Sequence, residues 1–260
     1  MPHKGPAPKP HLGFDRNSYP GDGNLRALRK VFSFSSYWLN APPGQPESSW
    51  LGKRSLLQHQ GFGFLVLFNG RKFEELSKGD PKALGESDGR GAAGKARSEG
   101  FPRGTIIFLD QEEGGRLLPQ QREYIHAWID QVSASGYRAG VYCSGIPARE
   151  QSSQSVTTAT DIKENAGKRK ISFWVSNDMC PPSPGCVLPN PPRPSSSGIE
   201  FADVWQFAQS PRRQQFAAAC GKTYSADGNC YPPGLEAQHL HIDINSANSA
   251  DPSQGRNGMR

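Results

Sequence analysis

The 260-residue chain carries 30 Lys and Arg against 24 Asp and Glu, a formal net charge of +6, and its mean hydropathy is -0.66. That length can bury a full core and suits one large α/β barrel or two small domains, while 29 Gly and 23 Pro imply many turns. A membrane span is excluded, because the longest apolar stretches, such as Phe62 to Phe68, are far too short and the polar start has no signal-peptide core. The basic residues are scattered, with short clusters only at Lys168-Arg-Lys170 and Arg212-Arg213 and no helix-turn-helix or RNP-like pattern. They read as a solvated surface that attracts polyanions unspecifically, with no specific nucleic-acid partner.

Periodicity gives a repeated strand-then-helix order. After a polar tail over residues 1–10, a short strand is expected at His11 to Asp15, with a helix near Asn24 to Lys30. A second strand from Phe32 to Tyr37 precedes a helical stretch from about Ser48 to Gln58, and Gly61 to Asn69 is the clearest buried strand. Pro81 to Glu99 reads as a helix and Gly104 to Glu112 as strand four. Pro119 opens an amphipathic helix with Tyr124, Trp128, Ile129 and Val132 on one face, and strand five follows from Gly136 to Cys143. A helix within Thr157 to Ala166 precedes strand six at Ile171 to Ser176; strands seven and eight are Ala202 to Ala208 and Leu240 to Asn245. Residues 251–260 form a second polar tail.

Eight strands in this order predict an α/β fold, a single (β/α)8 TIM barrel over residues 11–250, irregular in places. The Pro/Ser-rich stretch from Pro181 to Gly198 becomes a long loop after strand six that walls the cleft. An open doubly wound sheet is the alternative, but no G-x-G-x-x-G follows the first strand.

Five cysteines include two close pairs, Cys180 with Cys186 and Cys220 with Cys230, each able to close a small disulfide loop. Neither spacing fits a zinc ribbon, and Cys143 reads as a buried inert thiol. An oxidising compartment and export are therefore expected, to the cell envelope or beyond, with the leader absent from this chain or removed.

The most informative segment is Thr105-Ile-Ile-Phe-Leu-Asp110-Gln-Glu112-Glu113, an apolar run ending in three carboxylates. Side chains along a strand alternate, so Asp110 and Glu112 share one face. Two acids at close range cannot both ionise cheaply, which leaves a proton donor beside an anion, the pair that glycoside hydrolysis uses. Acids that cap the next helix or bind a cation are the plainer alternative. If the barrel closes, Asp15 from strand one and Asp243 from strand eight arrive at the same mouth, and burying four unpaired carboxylates in a core would be expensive.

Gly13-Phe-Asp15, Leu109-Asp-Gln-Glu112, Gly140-Val-Tyr142, Phe173-Trp-Val-Ser, Val204-Trp-Gln206 and Ile242-Asp-Ile-Asn245, in that order, resemble the motif series of family 25 glycoside hydrolases, the muramidase-type lysozymes. A closer resemblance is to bacterial glycoside-hydrolase-like TIM-barrel domains of unknown function related to those lysozymes. The resemblance implies Glu112 as general acid, Asp110 as its electrostatic partner or an orienter of a substrate N-acetyl group, and Asp15 and Asp243 completing an acidic floor. It implies Tyr37 and Tyr142 as hydroxyl donors, Trp174 and Trp205 as faces for sugar rings, Gln206 as a directional hydrogen bond, and Asn177 and Asp178, directly after strand six, within reach of the cleft. Glu113 doubles the acid, and a β-bulge would exchange it with Glu112.

The function expected is a glycosidase, a monomer acting without cofactor or metal on bacterial cell-wall peptidoglycan or a related N-acetylated polysaccharide. Two alternatives stand beside it: a non-catalytic glycan-binding barrel, and a divalent-cation site near His241 serving phosphodiester chemistry, His239 and His241 otherwise being structural.

Overall fold

The computed structural model describes residues 9–150, 155–177, 191–210, 240 and 242–256. In chain order these form β1 (His11–Asp15), α1 (Leu25–Arg29), β2 (Phe34–Trp38), α2 (Arg54–His59), β3 (Gly63–Asn69), α3 (Phe73–Leu76), α4 (Pro81–Ser98), β4 (Ile106–Gln111) and α5 (Pro119–Ala134). The second half supplies β5 (Arg138–Ser144), the two-residue strands β6 (Ala148–Arg149) and β7 (Ser155–Val156), α6 (Thr158–Asn165), β8 (Ile171–Ser176), β9 (Val204–Ser210) and β10 (Ile242–Ala247).

Eight strands close a barrel in the order β1-β10-β9-β8-β5-β4-β3-β2, and β6 with β7 forms a separate ribbon. The expected strands are all present, but strict parallel alternation fails at the last one. β10 runs antiparallel to both neighbours, with Asp15 opposite Asp243 and His11 opposite Ala247. The alternation of apolar and polar residues along a strand reads the same in either direction, so the sequence pattern carries no signal for this reversal.

The remaining pairs of the barrel are parallel, and its strands are buried on both faces; all six residues of β4 are buried. Two large rings fill the interior because glycines face them. Phe34 pairs in register with Gly13, where a Cβ would lie 1.9 Å from its ring. Phe108 pairs with Gly140, where a Cβ would lie 2.5 Å from its ring. Every residue larger than glycine would push these rings out of the barrel.

Outside, α5 begins at Pro119 and buries Tyr124, Trp128, Ile129 and Val132, the face its 3.6-residue period marks. The helix expected from Ser48 is shorter, starting at Arg54. Ser48 spends its hydroxyl on the Trp38 carbonyl, the Trp50 indole donates to the Asn17 carbonyl, and Gly52 adopts φ 77°, a left-handed turn that a helix does not admit.

Residues 251–256, expected as a tail, are seated on the barrel. Val66 N–H donates to Ser253 Oγ at 2.8 Å, Ile106 N–H to the Ser253 carbonyl at 2.8 Å, and Phe64 N–H to Asp251 Oδ1 at 2.9 Å. This segment supplies acceptors to β3 below the point where β4 begins.

Cys143 is a free buried thiol, and burial pushes its pKa up. Cys180, Cys186, Cys220, Cys230, Asp178, His239, His241, the Arg212-Arg213 cluster and most of the Pro/Ser-rich loop lie outside the described residues. No helix among the described residues is long and apolar enough to cross a membrane.

Candidate active site

The mouth of the barrel gathers polar side chains from different strands. Asp15, the last residue of β1, is buried and accepts through Oδ2 from Asn245 Nδ2 at 2.7 Å and Gln206 Nε2 at 3.0 Å. Both amides are oriented by a second bond. Trp174 Nε1 donates to Asn245 Oδ1 at 2.8 Å, and the Tyr142 hydroxyl donates to Gln206 Oε1 at 2.9 Å. The Tyr142 and Trp174 rings meet edge to face with centroids 4.7 Å apart, which closes a loop of five side chains from β1, β5, β8, β9 and β10. With each amide oxygen occupied, only the NH2 groups can turn toward Asp15.

Burial dominates the electrostatics. It raises the Asp15 carboxyl from 3.8 to about 6, against the two amide hydrogen bonds that pull it down. Asp243 is pushed well above the usual carboxylate range by burial and then by Asp15. Asp110 is raised well above it too, first by burial, then by the charges of Glu112 and Asp15. Its Oδ1 is buried without a hydrogen-bond partner. Tyr142 stays a hydroxyl, because burial and the surrounding acids oppose its ionisation.

Glu112 stands just past the last residue of β4 and is exposed. Glu113 is occupied elsewhere, accepting from Phe73 N–H at 3.0 Å and from Gln121 Nε2, so it ties α3 and α5 to the end of β4. The loop between β4 and α5 is held further on by the fully buried Asp161, which accepts from Arg116 at 3.0 Å and from Leu117 N–H at 3.0 Å. Asp110 and Glu112 line a cavity of about 230 Å3 with Asn69, Gly70, Arg71 and Lys72. A second cavity of about 260 Å3 opens at the ends of β1 and β10 and includes Asp243. Asp243 reaches this rim from the amino end of its strand, a consequence of the reversed β10.

Of the residues expected from the sequence, Asp15, Asp110, Asp243, Tyr142 and Gln206 converge, with Glu112 at the edge. Three others stand elsewhere, and a fourth, Trp174, is present in another role. Tyr37 points out of the barrel, packs on Trp50, Phe64 and Phe101, and donates its hydroxyl to Glu99. Trp205 is buried outside the sheet, its indole donating to the Asn177 carbonyl at 2.7 Å. Asn177 is buried and spends its amide on the Ser197 carbonyl. Trp174 is at the site but buried between Phe108 and Tyr142, so it orients Asn245 and offers no open face to a ring.

Sequence reasoning missed Asn245, although it closes the Ile242-Asp-Ile-Asn motif and alternates onto the same face as Asp243. Among the described residues, no group of three or more His, Cys, Asp or Glu is placed to hold a metal ion.

A closed α/β barrel with carboxyl groups gathered on an oriented lattice of amides at one rim defines a glycoside hydrolase-like barrel. The chain belongs to the Rv2525c-like, glycoside hydrolase-like domain family, whose model matches residues 47–186. An uncharacterised B. stearothermophilus protein superposes with a TM-score of 0.54 at 18% identity, over 91% of this chain and 95% of its own. The Mycobacterium tuberculosis Tat-secreted protein Rv2525c, in complex with HEPES, gives 0.52 at 15%, over 95% of this chain and 98% of its own. The modular autolysin LytC from Streptococcus pneumoniae gives 0.50 at 10%, over 91% of this chain and 46% of LytC. At these identities the likeness is one of fold. No curated protein sequence matches the chain.

Proposed function

We propose that this barrel, an irregular variant of the TIM barrel spanning residues 11–250, hydrolyses a glycosidic bond in bacterial peptidoglycan or a related N-acetylated polysaccharide. The observation that carries this reading is the unequal acid pair at the end of β4: Asp110 buried with an unpartnered oxygen, Glu112 exposed two residues on, both lining one cavity.

In this reading Glu112, the member that substrate can reach, acts in its protonated form, passing that proton to the leaving oxygen and ending as the carboxylate. Asp110, whose pKa burial and then the charge of Glu112 push well above the usual carboxylate range, holds its proton more tightly than a free carboxyl does and in that form donates a hydrogen bond to the sugar or its N-acetyl group. Asp15, fixed by Asn245 and Gln206, and Asp243 complete the acidic floor beneath the developing positive charge. Tyr142 presents a hydroxyl that does not ionise. The likeness to a Tat-secreted protein and to an autolysin supports a place outside the cytoplasm, as do the two close cysteine pairs.

Incubation of purified protein with peptidoglycan and N-acetylchitohexaose, followed by counting new reducing ends, tests this. Glu112→Gln is expected to slow release by about 100-fold or more, the usual share of a positioned proton donor. Release that persists in full overturns the role given to Glu112.

One observation favours a second reading, a non-catalytic glycan-binding barrel: burial raises the pKa of three of the four acids, which shifts each toward its neutral, hydrogen-bond-donating form. Retention on insoluble cell wall with no reducing ends formed by the unaltered protein supports that reading over hydrolysis.

A further inference from the structure

Arg16 has no part in the reading above, and its surroundings single it out. Its backbone is pinned at the end of β1, the N–H donating to Ser36 Oγ at 3.3 Å and the carbonyl accepting from Trp38 Nε1 at 3.1 Å. Its guanidinium has no such engagement. Among the described residues this group has no hydrogen bond, ion pair or ring partner, although the residue is half-buried. Withdrawing a cation from water without an anion is unfavourable, and burial lowers the Arg16 pKa with no opposing charge to restore it. A fixed backbone and a half-buried guanidinium with no protein partner leave this side chain free to take an anion.

The group lines the cavity of about 260 Å3 at the ends of β1 and β10, with Asn17, Ser18, Ile242 and Asp243. The strand order sets this cavity across the mouth from the first one, because β10 and β4 are diametrically opposed in the ring of eight. A run of sugars spanning the two cavities crosses the carboxyl groups and ends against Arg16. At the opposite end Arg71 is already committed to Asp88, at 2.7 and 3.0 Å. The free cationic fork is therefore on the Arg16 side.

We propose that Arg16 determines specificity for an acidic glycan, its guanidinium taking a carboxylate or phosphate oxyanion borne by a sugar seated in the cavity at the end of β1. A planar fork of N–H donors matches either oxyanion in bidentate fashion. This deepens the hydrolase reading by naming its substrate class, and it rests on that reading for the path of the glycan across the mouth.

Equilibrium binding, measured by calorimetry, separates the two ideas because it needs no turnover. The probes are a hyaluronan hexasaccharide carrying carboxylates, a glycerol phosphate oligomer carrying phosphates, and neutral N-acetylchitohexaose. The unaltered protein is expected to bind one anionic probe at least about tenfold more tightly than the neutral one, as a charge-assisted hydrogen-bonded pair supplies. Which probe shows the preference names the oxyanion. Arg16→Gln is expected to bring the ratio close to one, and Arg16→Lys to restore part of it. No preference in the unaltered protein overturns the proposal. A ratio unchanged in Arg16→Gln does so as well, as does an equal loss in Lys72→Gln, which would mark diffuse charge. Binding preference without any reducing ends leaves the inference standing while hydrolysis falls.

Discussion

Asp15 connects the mouth to the stability of the whole fold. Its raised pKa means that the folded chain holds this proton more tightly than the unfolded chain does. The stability it contributes is therefore greatest below 3.8, falls as pH climbs toward about 6, and stays lower above. Asp15→Asn removes that titration while preserving an oxygen for Asn245 and Gln206. Urea midpoints across this window should decline less steeply with pH in the variant than in the unaltered protein. Identical slopes would show that another group titrates there. At this scale the acids were legible because a carboxylate ending an apolar strand violates the rules of a core. The tyrosines and tryptophans were not, since strands buried on both faces carry no amphipathic mark of which parity points inward. Ser36 and Gln206 face the interior side, so their neighbours Tyr37 and Trp205 face out.

Helix α4 shows the same limit for an element. Its Gly-rich sequence is a poor helix former, yet it runs for 18 residues because a tight neighbour selects it. A Cβ at Gly85 would lie 2.4 Å from the Tyr124 carbonyl, and one at Gly89 would lie 2.9 Å from the Gln131 side chain, so small residues four apart let α4 lie close on α5. Gly91 and Gly94 face open space. Gly91→Ala should raise stability by up to about 1 kcal/mol, whereas Gly85→Ala should lower it by about 1–3 kcal/mol. Thermal unfolding of the two single variants checks the opposite signs. The helix itself was readable from Pro81 onward, with the Asp80 side chain capping Ala83 N–H at 3.1 Å. Its glycines were not divisible into contacting and idle ones without α5 beside them. The reversed β10 was hidden for a related reason, since direction is a property of pairing and not of one strand.

Across the whole molecule, the segment after β10 fastens the end of the barrel away from the mouth. Ser253 serves both Val66 and Ile106, and Arg54 donates to the Gly255 carbonyl at 2.8 Å. Ser253→Ala strands the buried Val66 N–H, and should cost about 1–3 kcal/mol in denaturant unfolding. A smaller loss would mean that β3 finds another acceptor. Residues 251–256 read as a polar tail because their bonds run through backbone and short polar side chains, which leave no hydrophobic period to detect.

The bond between Asn245 and Asp15 joins positions 230 apart in the chain. The amide that steers this carboxylate thus arrives only after the 230 positions that separate them have been made and β10 has come to lie beside β1. A chain that stops short of β10 lacks this steering amide, so the hold on Asp15 is among the last features of the mouth to be put in place.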